Sequence, residues 1–295
     1  MSATRWIQLQ TEVPREQSES AEDAMFEAGA VTVTFLDAAD QPILEPGVGE
    51  TPLWDQCTVK ALFPSTVDTD LIVSQLTTEA LAPLRWELLE DKDWSQEWKK
   101  YFKPVKCGER LWICPSWADA PEPDAINLSL DPGLAFGTGS HPTTHLCLRW
   151  LDRQDLAGKT IIDYGCGSGI LGIAALLLGA DKVVAIDNDP QALLASRDNA
   201  QRNNIADERL ITCLPEAIPD GVLADVMVAN ILAAPLIQLA DNISQLTYAG
   251  GSLCLSGLLE SQIDDVSAPY LPFFAFEQPA VEDEWAQLSA IKVHT

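Results

Sequence analysis

Histidine is nearly missing from this chain of 295 residues: His141, His145 and His294 are all it has. Its seven cysteines, at 57, 107, 114, 147, 166, 213 and 254, are dispersed, and no pair has CxxC spacing. No Cys/His set therefore has the spacing of a zinc site, and a metal centre is not expected. Scattered thiols in odd number fit a reducing compartment rather than a disulfide framework. Bases are short as well, 18 against 44 acids, for a formal net charge of −26. So acidic a surface repels nucleic-acid phosphates at long range and attracts basic partners, so stable nucleic-acid binding is not expected. Long apolar runs are also lacking. The longest, Gly169 to Ala180, is too short to span a bilayer. The N-terminus, Met1 to Trp6, passes into polar alternation with no signal-type apolar core. A cytoplasmic location without a membrane role is expected. Hydrophobic residues at 47% and charged residues at 21% are ordinary for a globular protein and exclude wholesale disorder.

The length suggests about two domains. The first ninety residues read as one unit repeated. Trp6 to Val13 alternates like a half-buried strand, Ser18 to Ala28 has helical spacing, and Val31 to Leu36 is a second strand. The order recurs after a Pro/Gly/acid connection, Gln41 to Asp55: strand Val59 to Phe63, helix Asp68 to Leu81, strand Trp86 to Leu89. A βαββαβ order of this length points to an α+β ferredoxin-like sandwich, a fold with no function of its own to report.

Residues 85–110 depart from the acidic pattern, with seven of the eighteen bases (Arg85, Lys92, Lys99, Lys100, Lys103, Lys106, Arg110) against six acids. Trp94, Trp98, Tyr101 and Phe102 recur there at helical spacing. The stripe reads either as a contact surface for RNA or protein, or as a connector helix whose aromatics pack. The second is favoured, because such stripes are usually core.

From Thr160 onward, strands and helices alternate. Strands are expected at Thr160–Tyr164, Lys182–Asp187, Leu210–Cys213, Asp225–Ala229 and Gly251–Leu255. Helices are expected at Gly169–Gly179, Pro190–Asn203 and Leu232–Leu246. Repeated β-then-α units give a parallel sheet covered on both faces. Phe273–Phe276 and Trp285–Val293 then add two strands with no helix between them, which closes the sheet with an antiparallel pair.

The sharpest signal is Asp163-Tyr164-Gly165-Cys166-Gly167-Ser168-Gly169, after the first strand of this sheet. Glycines there permit a tight turn, let a ligand lie against the backbone, and open a helix whose N-terminus favours negative charge. Asp187 ends the next strand, at the spacing of an acid that binds ribose hydroxyls in nucleoside-binding sheets. The G-x-G-x-G spacing lacks the two-residue step of the dinucleotide fingerprint, which favours a nucleoside without pyrophosphate. Asp187 also reads as a helix cap, but Asp189 before Pro190 already fills that role, which leaves Asp187 free for ribose.

This motif with Asp187 resembles motifs one and two of the Rossmann-like S-adenosylmethionine-dependent methyltransferases. Leu130-Asp131-Pro132-Gly133-Leu134-Ala135-Phe136-Gly137-Thr138-Gly139-Ser140-His141-Pro142-Thr143-Thr144 resembles the signature loop of the PrmA family, which methylates protein eleven of the large ribosomal subunit. Asn230-Ile231-Leu232-Ala233 also matches, and the resemblance covers essentially the whole chain. It implies an α/β fold: a Rossmann-like methyltransferase sheet, parallel with an antiparallel C-terminal strand, plus the small N-terminal domain. It implies residues 1–91 as the recognition domain, 92–120 as a linker helix with connecting strands, and 121–295 as the methyltransferase domain. It further implies S-adenosylmethionine as cofactor, held by Thr144, Gly165, Asp187 and Asn230, with Gly167 and Asp163 as further contacts. Asn230 and Phe136 are the candidate catalytic residues, Phe136 as an aromatic wall near the methyl group.

Amine-methylating relatives with Asn-Pro-Pro-Tyr hold the nucleophile with an asparagine and a backbone carbonyl; here prolines and tyrosine are missing from Asn230 to Ala233. An amine attacking a sulfonium methyl in line requires little acid–base machinery, so the lack of a nucleophilic Ser/His or Cys/His pair is consistent. Cys166 reads as packing, and His141 as a local hydrogen-bonding residue at a helix start. The expected substrate is lysine, and α-amino groups, of a basic ribosomal protein acted on by a monomer. An RNA methyltransferase and a non-catalytic cofactor-binding module are the alternatives.

Overall fold

The computed structural model describes residues 6–39, 41, 52–78, 81, 83–89, 102–131, 139 and 141–293. Two compact units meet in the chain between Glu97 and Trp98.

The first unit has the order β1 (Trp6–Pro14), α1 (Ser18–Glu27), β2 (Thr32–Asp37), β3 (Gln56–Pro64), α2 (Thr69–Thr78) and β4 (Arg85–Leu89). Its sheet is antiparallel with strand order β2-β3-β1-β4, as expected of a ferredoxin-like sandwich. Period-two alternation places Leu9, Val13, Val59, Ala61 and Phe63 in one core with Ala21 and Met25 of α1 and Ile72 and Leu76 of α2. The opposite register carries Gln8, Gln10, Glu12, Lys60 and Glu87. The connector helix expected around Trp94, Trp98 and Tyr101 lies outside the described residues.

The second unit opens with a small sheet, β5 (Val105–Lys106), β6 (Leu111–Cys114) and β7 (Ile126–Ser129), whose strands fall on both sides of residue 120. Strands of two to four residues are too short for alternation to be read. Then come α3 (Pro142–Asp152), β8 (Thr160–Tyr164), α4 (Ile170–Leu177), β9 (Lys182–Ile186), α5 (Pro190–Arg202), β10 (Leu210–Cys213) and β11 (Ala224–Asn230). The chain ends with α6 (Ala233–Gln238), α7 (Ala240–Leu246), β12 (Thr247–Leu259), α8 (Ile263–Ser267), β13 (Phe274–Phe276), β14 (Ala280–Glu282) and β15 (Trp285–Lys292). The single helix expected over 232–246 is thus two helices, broken at Leu239, where ψ is 2°. The tail holds a third strand, β14, paired with β15.

The large sheet runs β10-β9-β8-β11-β12-β15-β13, parallel from β10 to β12 and antiparallel where β15 meets β12, β13 and β14. Alternation along each strand divides its core in two. Ile161, Val183, Ala185, Val226 and Val228 pack with α3, α4 and α5, whereas Ile162, Val184, Ile186, Met227 and Ala229 pack with α6, α7 and Tyr270. From β8 the order proceeds outward to β9 and β10 on one side, while β11 and β12 lie on the other. The crevice outside the carboxyl ends of β8 and β11 is the topological switch point, where open α/β sheets bind ligands. Among the described residues no helix is long and apolar enough to cross a membrane.

Candidate functional site

The glycine turn leaves β8 at this switch point. Gly165, Gly167 and Gly169 all have positive φ, +79°, +53° and +77°, a region costly for any side chain. Gly165 and Cys166 donate their N–H groups to the Ile186 carbonyl at 2.7 and 3.0 Å, which ties the turn to β9. A Cβ at Gly165 would lie 2.2 Å from Ile231 Cγ2, so packing within the protein demands glycine here too. From below, α5 holds the turn: Ser196 Oγ donates to the Gly167 carbonyl at 3.0 Å and Asn199 Nδ2 to the Ser168 carbonyl at 2.9 Å. Sequence reasoning missed these two. Their signal was polar side chains at core spacing with Ala192, Leu193 and Ala200.

Asp163, in β8 just before the turn, is buried. Its Oδ2 accepts from the Gly172 N–H at 2.9 Å, while Oδ1 has no hydrogen-bond partner among the described residues. Burial, helped by the nearby Asp187 charge and opposed by the Gly172 N–H, pushes its carboxyl up to about 7.

Asp187 follows β9. Its Oδ2 accepts from the Gly167 N–H at 2.9 Å and its Oδ1 from the Asp189 N–H at 3.0 Å. Asp189 caps α5 as expected, accepting from the Gln191 N–H at 2.8 Å with Pro190 in the first helical position. Asp187 is therefore not the free carboxylate its position suggests: it buttresses the glycine turn. Carboxylate oxygens accept more than one bond each, so both retain capacity for a ligand hydroxyl.

On the other side of the switch point, Asn230 ends β11 and Thr144 lies in the first turn of α3. His141 caps that helix: its Nδ1 accepts from the Thr143 N–H at 3.3 Å and lies 2.7 Å from Thr143 Oγ1. Burial lowers the His141 pKa, which favours the neutral ring. Thr144 is fully buried, and its hydroxyl oxygen accepts from Asn230 Nδ2 at 3.2 Å. Asn230 Oδ1, shielded from solvent, has no hydrogen-bond partner among the described residues. Next to it, the Ile231 N–H donates to the Ser256 carbonyl at 3.1 Å.

The structure thus joins Gly167 to Asp187 and Thr144 to Asn230, with Gly165 and Ile231 in contact between the two pairs. Cys166 is buried beside Ser196, and burial pushes its thiol well above the ordinary range, so it packs rather than attacks. Phe136 lies outside the described residues. Among the described residues no cluster of His, Cys, Asp or Glu is placed to hold a metal. A positive-φ cradle, a carboxylate beside it and two buried acceptors without a partner among the described residues, Asp163 Oδ1 and Asn230 Oδ1, fit a nucleoside-bearing ligand with polar hydrogens to donate.

A family model described as ribosomal protein L11 methyltransferase (PrmA) matches residues 5–293. A protein of Cellvibrio japonicus named ribosomal protein L11 methyltransferase is 54% identical, over 97% of this chain and 98% of its own length. One of that name from Vibrio parahaemolyticus is 51% identical, over 97% of this chain and 99% of its own. The crystal structure of ribosomal protein L11 methylase from Lactobacillus delbrueckii subsp. bulgaricus is similar at a TM-score of 0.60 and 30% identity, covering 65% of this chain and 100% of that one. Since the match runs through both units and spans every site residue, the chain belongs to the ribosomal protein L11 methyltransferase family.

Proposed function

We propose that this chain transfers methyl groups from S-adenosylmethionine to amino nitrogens of ribosomal protein L11, lysine side chains and α-amino groups, in the cytoplasm. The observation that carries the reading is Asn230 Oδ1, a buried acceptor without a partner among the described residues, at the carboxyl end of β11. A carboxamide oxygen there receives an N–H of the incoming amine and directs its lone pair.

The Gly165–Gly167 backbone and Asp187 would hold the nucleoside, Asp187 at the ribose hydroxyls. Thr144, Asn230 and Asp163 would meet the methionyl end, Asp163 Oδ1 receiving its amino group. When bound, S-adenosylmethionine supplies a sulfonium methyl, electrophilic without further activation. The protein's part is then alignment, which supplies roughly 7–11 kcal/mol of a barrier of this kind. The amine must enter neutral, against a reference pKa of about 10.4 for lysine, so exclusion of water around it has to favour loss of its proton. Phe136 is proposed as an aromatic wall of the same site.

Residues 1–91 are proposed to recognise the substrate and residues 121–295 to carry the chemistry, joined by residues 92–120. The sheet register of Gln8, Gln10, Glu12, Lys60 and Glu87 offers polar groups for protein docking. A net charge of −26 suits a basic protein and opposes stable binding to RNA. We take the monomer as the working unit. The test is incubation with methyl-labelled S-adenosylmethionine and either purified L11 or ribosomal RNA, followed by peptide mapping. Label on lysine or α-amino nitrogen of L11 supports the reading; label only in RNA, or none, overturns it.

A further inference from the structure

The backbone around Asn230 is already fixed. The Ile231 N–H is bonded to the Ser256 carbonyl at 3.1 Å. On either side, Ile231 fills the space of a missing side chain: a Cβ on Gly165 would meet its Cγ2 at 2.2 Å, and one on Gly257 its carbonyl oxygen at 2.3 Å. A freedom this leaves open is rotation of the Asn230 carboxamide about χ2, a broad, roughly two-fold torsion that exchanges its oxygen and its NH2. The two ends are chemically opposite, one an acceptor and the other a donor. An amine about to attack a methyl group must keep its lone pair free. An acceptor binds the amine through its N–H and leaves the pair available, whereas a donor would compete for that pair.

Thr144 Oγ1 accepts the Asn230 Nδ2 hydrogen at 3.2 Å. The threonine is itself held in place: fully buried, in the first turn of a helix whose start is set by the His141 cap and Pro142. We propose that Thr144 is a positioning residue for methyl transfer, which acts by holding the NH2 end of Asn230 so that Oδ1 faces the substrate amine. The inference deepens, and rests on, the reading of Asn230 as the group that receives the amine. It gives Thr144 a role separable from any contact with the methyl donor.

The test compares Thr144→Val, which keeps the volume but removes the acceptor, with Thr144→Ser, which restores it, in the full-length enzyme. Rates are measured at saturating donor and donor affinity is measured separately. The expected result is a fall in kcat of about 10- to 100-fold for Thr144→Val, the scale of a small misplacement at a reacting centre. Donor affinity should fall no more than about tenfold, the loss of one neutral hydrogen bond at the methionyl end, and Thr144→Ser should recover most of the rate. Thr144→Ala gives the same readout should the valine variant not fold. In a double-mutant cycle Thr144→Val should cost nothing further once Asn230→Ala is present, because the threonine acts through the asparagine. A wild-type kcat for Thr144→Val beside a slow Asn230→Ala overturns the proposal alone, as does a loss confined to donor affinity or an additive cycle. A wild-type rate for Asn230→Ala overturns the underlying reading and the proposal together.

Discussion

Gly257 lies so close to Ile231 that a Cβ at position 257 would stand 2.3 Å from the Ile231 carbonyl oxygen and 2.7 Å from its carbonyl carbon. The glycine has φ +88° and marks a register shift between Ser256 and Leu258 in the pairing of β12 with β15. The irregularity makes room for the backbone that carries Asn230. Gly257→Ala should therefore displace Ile231 and with it the Asn230 carboxamide. Strain at such a position costs roughly 1–3 kcal/mol, which thermal melts should register. Turnover at saturating donor should fall at least about tenfold, since the shift reaches the proposed reacting centre. An alanine variant with wild-type turnover would mean the segment relaxes without moving Asn230.

Asp163 makes stability depend on pH. Its carboxyl is raised by burial from an ordinary value of 3.8 to about 7, a difference on the order of 4 kcal/mol between protonation states. The folded form therefore holds a proton that the unfolded form has released between about pH 4 and pH 7. Over that window wild-type stability should fall as pH rises, and level off above about 7. Asp163→Asn, which keeps an acceptor for the Gly172 N–H, should remove this contribution. Urea denaturation at pH 5 and pH 8 measures it: the variant should gain on wild type at the higher pH. Parallel curves would place the Asp163 pKa near its ordinary value.

Asp187 holds two backbone N–H groups, of Gly167 and Asp189, besides its proposed ribose contacts. Hydrogen bonds to a charged acceptor contribute roughly 1.5–3 kcal/mol each, toward the low end for this half-buried carboxylate. Asp187→Ala should lower both the melting temperature and the affinity for S-adenosylmethionine. Calorimetry showing unchanged affinity in the folded variant would remove Asp187 from the ribose site.

All seven cysteines are buried, and burial raises the Cys107 thiol to about 12. Thiolate, not thiol, is the reactive form. At pH 8 the folded protein should titrate with almost no thiol against an aromatic disulfide reagent, and all seven should react after denaturation. Rapid reaction of any cysteine in the native state would contradict this packing.

The first unit was legible because alternating strands and spaced helices declare one buried face each, from Trp6–Val13 through Trp86–Leu89. The glycine turn was legible because Gly165 to Gly169 combine backbone freedom with a preceding buried strand. The bonding of Asp187 was not, since its partners are backbone N–H groups that no side chain announces. Nor was the fit of Ile231 between Gly165 and Gly257, which joins residues distant in sequence through contacts only the folded chain creates. The short strands β5 to β7 and the break at Leu239 left no periodic trace. Ser196 and Asn199 were visible as polar residues at core spacing, but what they support appears only when α5 is laid under the turn.

The most direct test of the account is the rate of methyl transfer to purified ribosomal protein L11 at saturating S-adenosylmethionine, by wild-type enzyme and by folded Asn230→Ala. The account predicts label on amino nitrogens of L11 with the wild type, and a rate lower by about 100-fold or more with the variant. Equal rates for the two proteins, or no label in L11 with the wild type, would contradict it.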